Sequence, residues 1–198
     1  MKVVIIGNTG FIGNSIYNYL DKTKEYDLIG ISKNEIDLSG EKSSIALSKY
    51  LTADCIVVMC AGVKKQLGDN LDTFESNSAI INNFCRAISL VPPKKIIFFS
   101  SASVYGEDVD YDEKINEKTP VQPKTYYGIT KYTAERLLEK ICTENETEIV
   151  ILRPPLIYGK NDRSRGYGPT GFTYKAIESD EIILWGDGSE FRQFVFVD

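Results

Sequence analysis

Tyr127 and Lys131, in the stretch TYYGITKYTAE (125–135), stand four residues apart, a spacing that puts both side chains on one face of a helix. Lys131, Ala134 and Leu138 continue that face at i, i+3 and i+7, which turns the lysine toward the buried side, where an ammonium is costly unless something uses it. A nearby cation favours phenolate and lowers a tyrosine from about 10 toward working pH. The chain has no histidine, so tyrosine is the natural candidate for moving a proton at a sugar or alcohol oxygen. An ordinary amphipathic helix with a packed tyrosine and a snorkelling lysine would show the same pattern. What separates the two readings is the company: FFSSASVYG (98–106) follows an apolar run that reads as a parallel strand, and ligands sit at the carboxyl ends of such strands. A serine there can hydrogen-bond the oxygen whose proton the tyrosine moves.

A second constellation lies at the start of the chain. VVIIGNTGFIG places Gly7, Gly10 and Gly13 between a strand and a helix, where a dinucleotide needs a tight turn and a backbone close enough for pyrophosphate to reach the helix N-terminus. The same spacing without flanking elements would be only a turn; here the strand before and the helix after are both present. An acidic residue at the end of the second strand would select NAD by repelling a 2′-phosphate. In YDLIGISKNEIDL that place falls on Ser32 or Lys33, and a hydroxyl and an ammonium suit a 2′-phosphate. The expected cofactor is therefore NADP in preference to NAD, the alternative being that Lys33 is a solvated surface lysine.

The elements that must position these groups are legible from periodicity. VVIIG (3–7), CIVVM (55–59), KIIFFS (95–100) and EIVILR (148–153) are nearly continuous in apolar character, as strands covered on both faces are. Between them, Phe11 to Leu20, Asn77 to Leu90 and Tyr127 to Ile141 carry helical stripes. The alternation predicts an α/β fold, a Rossmann-like doubly wound parallel sheet. After Tyr158 the chain turns Gly-rich and polar, giving an expected NAD(P)-binding domain over 1–165 and the start of a small substrate-binding lobe over 166–198. The chain stops at Asp198 directly after an apolar, strand-like run and reads as cut short.

Composition narrows the function classes. With 198 residues, 42% hydrophobic and 26% charged, the chain is long enough for one sizeable core. A net charge of −5 and the lack of a dense Lys/Arg cluster argue against nucleic acid as partner. Cys55, Cys60, Cys85 and Cys142 form no CxxC pair, so no metal site is expected and the thiols read as buried and free. The first apolar run is too short for a signal segment or a membrane span, and a cytoplasmic location is expected.

Six segments in order then resemble the extended short-chain dehydrogenase/reductases, specifically the nucleotide-sugar epimerase/dehydratase group: GNTGFIG, EIDL, SSASVYG, YGITK, LRPPLIYG and GDGSEFRQFVFVD. The resemblance implies Ser101, Tyr127 and Lys131 as the catalytic set, with Ser101 and Ser103 against the substrate. It implies cofactor contacts from Gly7, Thr9, Gly10, Phe11, Ile12 and Gly13, from Asp37 and Leu38 beside the adenine, from Cys60, Ala61 and Gly62, and from Pro154. Arg192 falls where the family often sets an arginine against the substrate diphosphate. Departures narrow the chemistry implied. Ala102 and Ser103 stand where sugar dehydratases carry an Asp-Glu pair, and Leu156 stands where many 4-epimerases carry an asparagine. What the resemblance leaves is a 4-ketoreductase of surface-polysaccharide synthesis, or a 4-epimerase, acting on a nucleotide-linked or lipid-linked sugar and working as a homodimer. A non-catalytic dinucleotide sensor on the same fold is the reading from another class. Family members run on beyond this chain and supply most of the sugar-binding lobe there.

Overall fold

The computed structural model describes residues 1–106, 114–162, 165, 168–178, 181–183, 187 and 192–198. The chain divides into two compact units, Met1–Arg153 and Pro154–Asp198, a division earlier than the expected boundary after residue 165.

In the first unit, strands β1 (Lys2–Ile6), β2 (Asp27–Ile31), β3 (Ile56–Met59), β4 (Lys95–Phe99) and β5 (Glu148–Leu152) form one sheet in the order β2-β1-β3-β4-β5. Every neighbouring pair is parallel. The register aligns Ile6 with Ile31 and Met59, Met59 with Phe98, and Phe99 with Leu152, so all five carboxyl ends reach the same edge. The chain order reverses between β1 and β3, and a crevice outside that pair is where open α/β sheets take their ligands.

Both faces of the sheet are covered at β1 and β3, which is why those strands read as unbroken apolar runs; β5 alternates instead, with Val150 and Leu152 exposed, so the run 148–153 is covered less than its apolar character predicts. Val3, Ile5 and Val58 pack against Ile16, Tyr17 and Leu20 of helix α1 (Phe11–Thr23). Val4, Ile6, Val57 and Ile96 face the other way. They meet Ile81, Phe84 and Ile88 of α3 (Leu71–Leu90) and Ala134 and Leu138 of α4 (Tyr126–Glu144). Phe84 is fully buried, and cutting such a side chain to alanine typically costs about 3–5 kcal/mol.

Two helical features go beyond the periodicity. Helix α3 begins at Leu71 rather than Asn77, because the Asn70 side chain accepts from the Thr73 N–H while the Thr73 hydroxyl accepts from the Asn70 N–H. That reciprocal cap fixes the helix start at Leu71, nearly two turns before Asn77. A short helix α2 (Ser43–Ser48) fills the crossover between β2 and β3, its Leu47 fully buried.

The second unit holds β6 (Leu156–Tyr158), α5 (Gly168–Glu178) and β7 (Phe194–Phe196), with β6 and β7 paired in parallel. Tyr158 meets Phe194 edge-on, the ring centroids 6.3 Å apart. Gly166, Gly186, Gly188 and residues 189–191 of the segment GDGSEFRQFVFVD lie outside the described residues. No described helix is long and apolar enough to cross a membrane.

Candidate functional site

The glycine turn has the geometry a dinucleotide requires. Gly7 ends β1 with φ +87°, and a Cβ there would stand 2.9 Å from the Ala61 nitrogen. Both the left-handed backbone and the close approach to the loop after β3 therefore exclude a side chain. A Cβ on Gly13 would lie 2.3 Å from the Gly7 carbonyl oxygen, so this glycine lets α1 start against the turn. Gly10 is the N-cap of α1 and supplies no side-chain cap, which leaves the positive end of a 13-residue helix open to an anion. Thr9 is exposed, while Phe11 and Ile12 are half-buried in the first turn of α1. Asn8 lies across Gly30 of β2, and its Oδ1 is buried without a partner. This cradle fits a dinucleotide: the space is one a Cβ would fill, and its walls are backbone.

Ser32 and Lys33 do not stand as expected. Ser32 is buried, and its N–H and hydroxyl both donate to the Glu35 carboxylate. These bonds, the hydroxyl's first, hold Glu35 below the usual carboxylate range. Lys33 is exposed and pairs with Asp37 at 3.5 Å. The end of β2 thus carries an anion three residues beyond the position read from sequence, and neither group expected for a 2′-phosphate is uncommitted. A turn, rather than the strand, delivers the acid, so alignment to the strand end misses it. Asp37 is exposed and folds onto Ser39, and Leu38 is buried in the core.

The loop after β3 carries Cys60, Ala61 and Gly62. Asn77 of α3 accepts the Val63 N–H at 2.7 Å and donates to the Val63 carbonyl at 3.1 Å, fixing this loop. Beneath it, a small cavity of about 20 Å³, room for roughly one water, is lined by Met59, Asn77, Phe98, Thr130 and Lys131 among others.

Lys131 is the hub. Its ammonium donates to the Phe99 carbonyl at 2.6 Å and lies 5.7 Å from the centroid of the Tyr127 ring and 4.9 Å from that of Phe98. Although the residue as a whole is only half-buried, the ammonium is desolvated, and this pulls it down to about 8 against the opposing charge of Glu135. Burial in turn pushes the Cys60 thiol up to about 12, so it is a neutral neighbour. Tyr127 sits in the first turn of α4, its N–H donating to Asp69 at 3.0 Å, and Thr125 caps the helix through the Gly128 N–H.

Gly128 explains how that turn reaches the serine segment. A Cβ there would stand 2.7 Å from the Ser103 carbonyl oxygen. Ser101 caps the 3₁₀ turn Ala102–Tyr105, accepting the Ser103 N–H at 3.1 Å, and its hydroxyl lies 3.1 Å from that of Ser103. The fold therefore gathers Ser101, Ser103, Tyr127 and Lys131 at the carboxyl edge, beside the crevice bearing the glycine turn. Pro154 and Arg192 belong to the second unit, where Pro154 is half-buried and Arg192 is exposed two residues before β7.

Two residues of this region carried a missed signal. Glu135, 1% exposed, accepts from Ser100 and from both Arg153 Nε at 3.0 Å and Nη2 at 2.7 Å, while Arg153 Nη1 donates to the Tyr105 hydroxyl at 2.9 Å. Glu135 follows Lys131 by four, so the buried stripe that turns the lysine inward also carries a carboxylate, which demands a cation. Among the described residues, no cluster suits a metal, and the four cysteines are free.

The comparisons agree with this geometry. A family model described as the NAD dependent epimerase/dehydratase family matches residues 3–198. An uncharacterized UDP-glucose epimerase of Bacillus subtilis is 26% identical over 100% of this chain and 69% of its own length. The N-acetyl-alpha-D-glucosaminyl-diphospho-ditrans,octacis-undecaprenol 4-epimerase of Escherichia coli O157:H7 is 24% identical over 99% of this chain and 60% of its own. Among solved structures, UDP-glucuronic acid 4-epimerase from Bacillus cereus, in complex with UDP-glucuronic acid and NAD, superposes with a TM-score of 0.81. It is 25% identical over 100% of this chain and 69% of that one. The chain thus spans 60–69% of the length of these relatives. A parallel sheet reversing at the glycine turn, a tyrosine and lysine on the adjoining helix, and a match over nearly the whole chain have one reading: the protein belongs to the NAD dependent epimerase/dehydratase family, within the extended short-chain dehydrogenase/reductases.

Proposed function

We propose that the full-length protein is an NAD-dependent 4-epimerase of a sugar carried on a nucleoside diphosphate or a lipid diphosphate. The observation that carries the chemistry is the Lys131 ammonium, desolvated and set beneath the Tyr127 ring. Such a cation stabilises the Tyr127 phenolate, which takes the proton of the sugar hydroxyl as general base and returns it as general acid. The Ser101 hydroxyl polarises the same oxygen. A bound NAD would supply the hydride acceptor and donor for the sugar carbon. Gly7, Gly13 and the open end of α1 hold the pyrophosphate.

Glu35 favours NAD over the NADP expected from Ser32 and Lys33, because a fixed anion at the end of β2 accepts from ribose hydroxyls and repels a 2′-phosphate. An NAD site suits a cofactor that is reduced and reoxidised within one turnover, and so favours epimerisation. The second reading, a 4-ketoreductase, draws support from Leu156 and from a relative such as GDP-6-deoxy-D-talose 4-dehydrogenase of Aggregatibacter actinomycetemcomitans, 23% identical. Arg192 is assigned to the substrate diphosphate, Pro154 to the nicotinamide side, and pairing as a cytoplasmic homodimer to the faces of α3 and α4.

The test uses full-length protein with UDP-glucose, UDP-glucuronic acid, UDP-N-acetylglucosamine and its undecaprenyl diphosphate counterpart, each followed by NMR for the C4 epimer. Epimer from one of them, slowed about 10²–10⁴-fold by Tyr127→Phe, is the expected result. Turnover untouched by Tyr127→Phe refutes the assigned chemistry, and net NADPH-dependent reduction of a 4-keto sugar selects the ketoreductase instead.

A further inference from the structure

Glu135 and Arg153 touch no reacting atom, yet they tie together every element that presents one. The Glu135 carboxylate, on α4 one turn after Lys131, receives the Ser100 hydroxyl from the end of β4 and two guanidinium N–H groups of Arg153 from the end of β5. The third guanidinium nitrogen holds the hydroxyl of Tyr105, at the far end of the turn that begins with Ser101. Arg153 also lies over that ring, 5.0 Å from its centroid. A buried ion pair often stabilises a fold no better than apolar residues of the same volume, so its presence here calls for another reason.

We propose that Glu135 and Arg153 are a positioning pair: they clamp the serine turn 100–105 to the tyrosine helix and keep the charge behind Lys131 balanced. This rests on the assignment of Ser101, Tyr127 and Lys131 above. The groups facing the Lys131 ammonium are the Cys60 thiol after β3, the Phe98 ring and Phe99 carbonyl of β4, the Asn77 amide of α3 across Gly62, and Tyr127 and Glu135 of its own helix. Arg153, and Tyr105 behind it, connect to that shell through Glu135. Glu135 supports the lysine's charge while Arg153 offsets the carboxylate, so the two halves of the clamp act on Lys131 in opposite senses.

The opposition supplies the test. In full-length protein labelled with ¹³Cε-lysine, the Lys131 resonance, assigned by its loss in Lys131→Met, is titrated by NMR. Glu135→Gln, which leaves Arg153 uncompensated, should lower the midpoint, and Arg153→Met should raise it, each by about half a pH unit or more. A merely structural pair would move both the same way or not at all, and either result overturns the proposal. Should a charge variant not fold, Tyr105→Phe keeps the ion pair and removes one anchor. Backbone exchange at Ser103 and Gly106 should then quicken about tenfold with β1 and β3 unchanged, and uniform or absent change overturns the clamp. Neither readout involves turnover. A failed clamp therefore leaves the Tyr127 assignment standing, and turnover indifferent to Tyr127→Phe leaves the clamp standing.

Discussion

Two serines at strand ends, Ser32 after β2 and Ser100 after β4, each give their hydroxyl to a glutamate, and the pairs do opposite things. Ser32 reaches Glu35 within one turn of chain, and that glutamate remains exposed just past the end of the edge strand β2. Ser100 reaches Glu135 across 35 residues, and that carboxylate is sealed in the core with Arg153 as counter-ion. A local pair on the surface is available to a ligand and costs little to alter. A long-range pair in the interior holds two elements in register, because separating it strands a charge without solvent.

The largest test of that contrast is Glu135→Ala. It leaves Arg153 without its partner and should cost about 3–5 kcal/mol, read as a fall in the urea midpoint. Glu35→Ala should leave the same midpoint nearly unchanged; an equal loss in both would erase the distinction.

Next in size is Lys131→Met. The folded ammonium titrates near 8 against an ordinary 10.5, so the native state disfavours the charge and stability rises with pH between those values. The substitution should therefore stabilise the fold at pH 7 by about 1–3 kcal/mol. That gain should shrink between pH 8 and 10.5 as the wild type sheds its proton, while activity is lost throughout. Denaturant midpoints at pH 7 and 10 check the sign.

The smallest effect belongs to the exposed partner. Glu35→Ala should raise the NADPH-to-NADH affinity ratio about tenfold by removing one fixed charge near a 2′-phosphate. Nicotinamide fluorescence titrations read it directly, and an unchanged ratio would take Glu35 out of cofactor choice and return Ser32 and Lys33 to it.

The two units differ in the same way as the two serines. The sheet of Met1–Arg153 buries Val4, Ile5 and Ile96 completely, whereas Val195 and Phe196 of β7 and Ile177 of α5 stay exposed. In the first unit apolar runs made β1, β3, β4 and β5 legible, although β5 keeps Val150 and Leu152 exposed. Strand β2, with Asp27 and Gly30 in it, was placed only as the strand before the expected ribose end. In the second, short strands with half-exposed residues leave little period to read, and β6 paired with β7 was not.

Sequence by itself determined the glycine turn, the tyrosine-lysine face and the parallel order of alternating elements. Each depends on spacing within a single turn, strand or helix, where backbone geometry dictates which residues share a place. Tertiary structure decided the rest. Glu35 comes back to the carboxyl end of β2 only because a turn folds it onto Ser32, α3 starts early because Asn70 and Thr73 cap each other, and Glu135 meets its partners only once β4 and β5 bring Ser100 and Arg153 to it. Partners drawn from distant segments leave no periodic trace, because burial and charge matching are properties of the packed core rather than of any one stretch of chain.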